Sequence, residues 1–241
     1  MISKRARVMI ALSGLLVLSM PAFAQRHYNR RSYSEREGEF RLHLGAFRPD
    51  GDSQYWDDVQ ADFTGGDPKD LEGANFGIDY LLPLGSDRLS LMFSGSYYSG
   101  SNTLAYRGFE DNFGDRIRHD TNLDIGSATL GLVFHLAPSN APIQPYIGAG
   151  GGAFPWRLEE SGDFIGSGPN LPIFTDRLTS SGTAFGYYFL GGLEAPITRR
   201  VSIFAEGRWT RVDADLNDDF EGFGKLDLGG REFAAGLSWS L

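Results

Sequence analysis

The sequence contains no cysteine. It therefore has neither a disulfide framework nor a cysteine zinc site. Positive charge is scarce: 22 Lys and Arg stand against 31 Asp and Glu. Without the first 24 residues, which carry Lys4, Arg5 and Arg7, the balance is 19 against 31, a net charge of −12. That balance excludes nucleic acid as a partner, because phosphate contact needs clustered positive charge. Long apolar runs are also missing. Beyond the N-terminal stretch none approaches 18 uninterrupted apolar residues, so no transmembrane helix is expected. No helical period of comparable length is found either.

The N-terminal stretch has its own anatomy. Met1–Val8 is basic, Met9–Met20 is an apolar run of about a dozen residues, and "PAFA" places Ala22 and Ala24 in the small-residue positions of a cleavage site. The run is short for a span of ~20 residues. Residues 1–24 are therefore expected to be a secretory signal peptide cut after Ala24. Polar Gln25–Glu37 reads as a flexible leader, which leaves 38–241 for the folded part.

Glycine (32 residues) and aromatics (13%) are plentiful, and aromatics favour strands. From residue 38 onward, short segments of period-two alternation are separated by polar connectors. Eight segments are expected: Glu39–Arg48, Gly73–Leu82, Arg88–Ser99, Leu123–Leu136, Pro145–Phe154, Thr183–Pro196, Val201–Arg211 and Leu226–Leu241. The connectors alternate in length. Pro49–Glu72, Gly100–Asn122, Pro155–Gly182 and Asp213–Lys225 are long, and those between are short turns such as "LPLGSD". In an antiparallel meander all short turns then fall at one end and all long loops at the other, as in outer-membrane barrels. The expected fold is all-β, an eight-stranded antiparallel up-and-down transmembrane β-barrel. A mean hydropathy of −0.25 is compatible with this, since a membrane strand needs an apolar residue only at every second position. The last segment, "GREFAAGLSWSL", ends on an alternating strand. Pairing with Phe40–Ala46 would close the cylinder and leave no edge.

The minor parity decides which face is which. It carries Gly, Ser and a few charges of both signs rather than the Lys, Glu and Thr of a solvated face. Small residues suit a narrow lumen filled by its own side chains. Buried charges must pair. Arg41, Asp79, Arg88, Glu194, Glu206, Arg208 and Glu232 are thus candidates for ion pairs inside the barrel, and a gated narrow channel is the functional alternative to a plug. The other parity is nearly free of charge. Its Phe40, Tyr80, Tyr97, Trp209 and Trp239 lie near segment ends, as a lipid-facing aromatic girdle would.

Chemistry is sparse. A hydrolase at the rim needs a His near Ser or an acid. His119 lies in "DRIRHD" with Asp115 and Asp120 and reads by default as a solvated loop residue; His135 is near a short turn, at the wrong end. No catalytic residue is assigned. The first and fourth connectors are rich in Asp, but no EF-hand spacing is present, so a solvated rim is favoured and no metal site is assigned. "PYIGAGGGAF" opens no helix and has no P-loop lysine, so its glycines read as close packing. No cofactor is expected.

The "PYIGAG" run at Pro145–Gly150, the "LLPLGSDRLSL" turn at Leu81–Leu91 and the closing "GREFAAGLSWSL" resemble the small eight-stranded outer-membrane barrels of the OmpA/OmpX/OmpW type. Such proteins usually end on an aromatic, where this chain has Leu241 with Trp239 two residues before. The resemblance implies a monomer in the outer membrane of a Gram-negative bacterium. It implies contact with outer-membrane lipid and lipopolysaccharide, and delivery by the barrel-assembly machinery acting on the C-terminal strand. It implies a non-enzymatic role in envelope integrity, surface interaction or limited passage of small solutes. Two other classes remain open: a lipid A-modifying enzyme and a soluble lipocalin-like ligand-binding barrel.

Overall fold

A computed structural model describes residues 38–86, 88–110, 113–166 and 172–241. The expected signal peptide (1–24) and leader (25–37) lie outside them. Ten strands follow in order: β1 (Glu39–Pro49), β2 (Phe63–Thr64), β3 (Gly73–Pro83), β4 (Leu89–Glu110), β5 (Arg116–His135), β6 (Gln144–Ile165), β7 (Ile173–Pro196), β8 (Val201–Asp215), β9 (Lys225–Asp227) and β10 (Gly230–Ser240). All but β2 and β9 form a ring of eight in which each strand pairs antiparallel with the next. β10 pairs with both β8 and β1, placing Trp239 opposite Phe40 and Ala235 opposite Leu44. The terminal strand therefore has no free edge.

The short turns are set by local chemistry. Leu84 N–H donates to the Leu89 carbonyl (2.8 Å), and Ser86 Oγ accepts from Leu89 N–H (3.2 Å). Ile197 N–H donates to the Val201 carbonyl, and Thr198 Oγ1 accepts from Val201 N–H (3.0 Å). Small polar side chains that bond nearby backbone are what make such sequences turn.

The long connectors differ from expectation. Most of Gly100–Asn122 and Pro155–Gly182 is strand, because β4, β5, β6 and β7 run on as two long hairpins. The first connector carries helix α1 (Gln54–Asp62), the two-residue β2 and a 3-10 turn (Pro68–Leu71). The stretch expected to open the last strand forms the separate β9 against β8.

Each long strand has two chemistries. On β4 the outward residues run Leu89, Leu91, Phe93 and Tyr97, then Ser99, Ser101, Thr103 and Arg107. On β5 Phe134, Leu132, Leu130 and Ala128 give way to Asp124, Asn122, Asp120 and Arg118. The switch falls at one level, since Ser99 pairs with Asp124 and Asp124 with Arg157. Below it an apolar band circles the barrel, with Leu44, Phe76, Phe189 and Phe233 among its exposed members. The stretch from Leu89 to Tyr97 rises roughly 27 Å along the strand, or about 20 Å once tilted, close to the ~25 Å apolar belt of a membrane barrel.

The inward face changes at the same level, in the opposite sense. Within the band it is mixed: the polar Arg41, His43, Asp79, Ser94 and Arg208 share it with a small apolar cluster of Leu81, Met92, Val133, Tyr146, Tyr188 and Leu190. Above it, Leu104, Leu123, Ile125, Trp156 and Leu158 form an apolar core with Tyr55, Trp56 and Val59 of α1 and with Leu71, Phe220 and Leu226. The indole N–H of Trp56 donates to the Asp227 carbonyl (3.2 Å), which fixes the helix over the mouth.

Candidate functional site

Two layers inside the barrel carry chemistry. The lower one begins on β1, where Glu39, Arg41 and His43 share the inward parity and are all buried. The Arg41 guanidinium is fully enclosed. Its Nε donates to Glu39 Oε1 (2.6 Å) and its Nη2 to Glu194 Oε2 (2.6 Å). Ser238 Oγ donates to the other oxygen of Glu194 (3.1 Å). The guanidinium plane also covers the rings of Tyr146 (4.8 Å) and Phe204 (4.9 Å). Together these groups block the cross-section with one arginine clamped between carboxylates and aromatic faces.

A second arginine repeats the arrangement higher up. Arg208 Nη2 donates to Glu206 Oε1 (3.0 Å) and lies 3.8 Å from Asp79. Its Nη1 donates to Ser94 Oγ (3.2 Å), and its plane lies over Tyr188 (4.9 Å). The two arginines are linked, because Tyr146 O–H donates to Glu206 (3.1 Å). His43 bridges Asp79 to one further acid, with Nδ1 3.3 Å from Asp79 and Nε2 3.6 Å from Glu232. Gly77 makes room for it: a Cβ there would stand 2.2 Å from the imidazole. A cavity of about 30 Å³ for water centres lies above, lined by Asn75, Thr129, Tyr188, Arg208 and Glu232 among others. That is room for one or two waters.

Of the charged residues expected inside, the structure brings Arg41, Asp79, Glu194, Glu206, Arg208 and Glu232 into this network. Arg88 is the exception and a correction. It sits exposed in the turn before β4, where the wall has ended; Ser90, two residues on, is enclosed. Glu39, His43 and Tyr146 were missed. The first two share Arg41's parity, a signal available in the sequence; the reach of Tyr146 across the lumen depends on the closed ring.

The upper layer holds the other correction. His119 is not a solvated loop residue but is 2% exposed. It stacks on Phe164 (4.8 Å) and meets the rings of Phe63 (4.9 Å) and Tyr106 (5.8 Å) edge-on. β6 approaches closely because Gly162 has φ +141°, and a Cβ there would stand 2.7 Å from the His119 Cα. Asp120 turns outward and accepts from Thr103 Oγ1 (2.6 Å), and Asp115 is exposed. The acid that approaches the imidazole is Glu160, at 3.5 Å, and Tyr55 O–H donates to its other oxygen (2.6 Å). Burial pulls the His119 pKa down to about 4, with Asp120 pulling the other way. Burial pushes the Glu160 carboxyl up, opposed by the Tyr55 hydrogen bond. At neutral pH the imidazole is uncharged, so its contact with Glu160 is not an ion pair. His135 is fully buried at the short-turn end of β5.

The five expected girdle residues fall at the two rims of the band. Phe40 pairs with Tyr80 (ring centroids 5.1 Å apart) and lies opposite Trp239 at the short-turn rim. Tyr97 and Trp209 mark the upper rim, well inside β4 and β8 because those strands continue beyond it. The Tyr97 ring lies on the band while its O–H donates upward to Asp124 (2.9 Å). Phe40, Tyr97 and Trp209 are exposed; Tyr80 and Trp239 are half-buried. Among the described residues no group of three His, Asp or Glu is arranged to hold a metal ion.

The solved structures to which the chain is similar include Neisserial surface protein A, at 14% identity, 85% of this chain and 97% of that one, with a TM-score of 0.48. They include the Escherichia coli outer membrane protease OmpT (12%; 88% and 99%; TM-score 0.45) and the Yersinia pestis attachment invasion locus protein Ail (18%; 86% and 100%; TM-score 0.40). No curated protein sequence matches the chain. A family model described as "Outer membrane protein beta-barrel domain" matches residues 10–240. The chain thus belongs to the outer-membrane β-barrel protein family.

Proposed function

We propose that this protein is a closed, non-enzymatic barrel of the outer membrane whose working surface is the β-structure beyond the apolar band. The observation that carries the reading is the filled interior. Solute would have to part the Arg41 and Arg208 clusters and then the core beneath α1. A buried charge that loses its partner costs about 3–5 kcal/mol, so two such clusters hold passage shut. What remains accessible is the outward, polar face of the long β4–β5 and β6–β7 hairpins, a stiff platform suited to contact with other surfaces.

A non-enzymatic role is supported by His119, the only imidazole with an acid and a phenol beside it among the described residues outside the band, whose side chain solvent does not reach. In this reading the signal peptide is cut after Ala24, and the assembly machinery engages the C-terminal strand. The short turns face the periplasm, and the barrel works as a monomer. Planar-bilayer recording of the folded protein tests the closure. Wild type and Glu206→Ala are both expected to stay at baseline conductance. Long-lived open steps in the wild type would replace the closed-barrel reading with a channel.

A further inference from the structure

Oxygen atoms crowd the small cavity above His43. Asn75 on β3 and Glu232 on β10 reach it from either side of β1, opposite Gly45 and Phe47. Both residues are more than nine-tenths buried, and Asn75 Oδ1 and Glu232 Oε1 have no hydrogen-bond partner among the described residues. An enclosed acceptor left without a donor or a cation is costly. The hydroxyls of Ser96, Ser127, Thr129 and Tyr188 line the same space. Charge points the same way. The lower layer buries five carboxylates, Glu39, Asp79, Glu194, Glu206 and Glu232, with two guanidiniums and the His43 imidazole. Even a protonated His43 leaves three cations against five carboxylates, a net charge of −2. Arg41 pairs with Glu39 and Glu194. Arg208 stands opposite Glu232 across the β8–β10 pair, but its guanidinium is turned to Asp79 and Glu206. As an ion-pair partner Glu232 has only His43 Nε2, at 3.6 Å, and His43 is shared with Asp79. The most weakly paired carboxylate of the layer is thus the one that lines the cavity.

We infer that this cavity binds one sodium ion, held by Glu232 Oε1, Asn75 Oδ1 and the neighbouring hydroxyl oxygens. One carboxylate among neutral oxygens suits a single positive charge. Calcium draws on more carboxylates, and magnesium keeps several waters that a cavity of about 30 Å³ for water centres does not hold. There is room for the ion and a single water. That water accepts from Arg208 Nε, which also lacks a partner, and stands between the guanidinium and the ion. The bound charge brings the lower layer closer to neutrality, as buried carboxylates require.

The test is the urea midpoint of folded, detergent-solubilised protein in sodium, potassium and choline chloride at one ionic strength, which holds general screening equal. An ion bound only by the folded barrel raises the midpoint, by roughly 1 M when sodium stands at ~100 times its dissociation constant. Wild type should be more resistant in sodium than in choline, and Glu232→Gln should unfold at the same midpoint in both. Coincident wild-type midpoints in sodium and choline overturn the site. A sodium shift that survives in Glu232→Gln overturns it too, because the ion then binds elsewhere. A potassium shift as large as that of sodium overturns the choice of a small cation. If Glu232→Gln does not fold, a crystal structure of the wild type grown in sodium chloride decides. An atom in the cavity with oxygen contacts shorter than the about 2.7 Å of a water hydrogen bond is the expected result. Contacts of water length throughout overturn the assignment.

Discussion

The half of the barrel within the apolar band and the half above it are built from the same strands with opposite chemistry. On β6, Ile147 and Ala149 face outward below while small Gly148 and Gly150 face in; above, Arg157 and Glu159 face outward while Trp156 and Leu158 face in. Parity never slips. Only the surroundings change. Above the band, water surrounds the wall and the hydrophobic effect assembles an ordinary core. Within it, lipid surrounds the wall, and the interior is held by ring closure, satisfied backbone groups and paired charges, with only a small apolar cluster about Met92, Val133 and Leu190. The two halves should therefore fail in different ways.

The largest effect is expected at Arg41. Arg41→Ala leaves Glu39 and Glu194 buried without their cation, a loss of about 3–5 kcal/mol. It should lower the urea midpoint of the whole barrel, read as loss of the heat-modifiable band. Arg41→Met with Glu194→Gln should recover part of the loss, because the uncompensated charge is reduced. A double variant as unstable as the single would show that packing, not charge, dominates there. Leu158→Ala is next, at about 2–5 kcal/mol for a fully buried leucine. Its damage should be confined to the upper half: faster amide exchange in the outer parts of β5, β6 and α1, with the urea midpoint of the band nearly unchanged. Collapse of both halves together would refute the separation.

The outward face gives a direct contrast. Phe93 and Ser101 lie on one face of β4, on either side of the switch level. Phe93→Arg places a charge in lipid at about 2–4 kcal/mol. Ser101→Arg stays in water and should change stability by less than about 0.5 kcal/mol. Equal urea midpoints for the two would mean that the band is not in lipid.

That contrast also explains what was legible in the sequence. Within the band, alternation of Leu, Phe and Ile with Gly and Ser reads strongly, and Arg41, Asp79 and Arg208 stand out as charges on the minor face. Above the band the alternation persists, as Trp156, Leu158 and Phe164 show, but the apolar parity is now the inward one and Glu160 interrupts it. A stretch whose faces exchange chemistry looks aperiodic if one face is expected to stay apolar throughout, so the hairpins read as loops. Arg88 misled for a related reason: parity assigns a face but not the height at which the wall ends. Which carboxylate meets which arginine follows from the stagger of the closed ring, and no local pattern records it.

Acid should loosen the upper half through His119. The imidazole titrates near 4 when buried and near 6.5 when free. Above 6.5 neither state holds the proton, and the residue is silent. Between 6.5 and about 4 the opened form takes a proton that the closed form refuses, so closure weakens as pH falls. Glu160 acts in the opposite sense: its raised value lets the closed form keep a proton after the open form has lost it. His119→Phe removes the first contribution and keeps the second. Urea titrations followed by tryptophan fluorescence, with Trp56 and Trp156 in the upper core, should show wild type weakening from pH 7 to 4.5 relative to the variant. Parallel curves would remove His119 from the account.

The smallest effect comes from the same chemistry as the largest. Arg157 pairs with Glu159 at 2.9 Å, two residues away, as Arg41 pairs with Glu39 at 2.6 Å. The residue types and spacing are the same, yet the Arg41 side chain is 0% exposed and that of Arg157 is 55%. Water already solvates Arg157, salt screens it, and Glu159 keeps Arg177 at 3.4 Å as a second cation. Arg157→Ala should therefore cost less than about 1 kcal/mol, and the small change should shrink further at 0.5 M salt. A loss at Arg157 approaching that at Arg41 would mean that the upper surface is shielded from water, and the inversion between the two halves would no longer explain the fold.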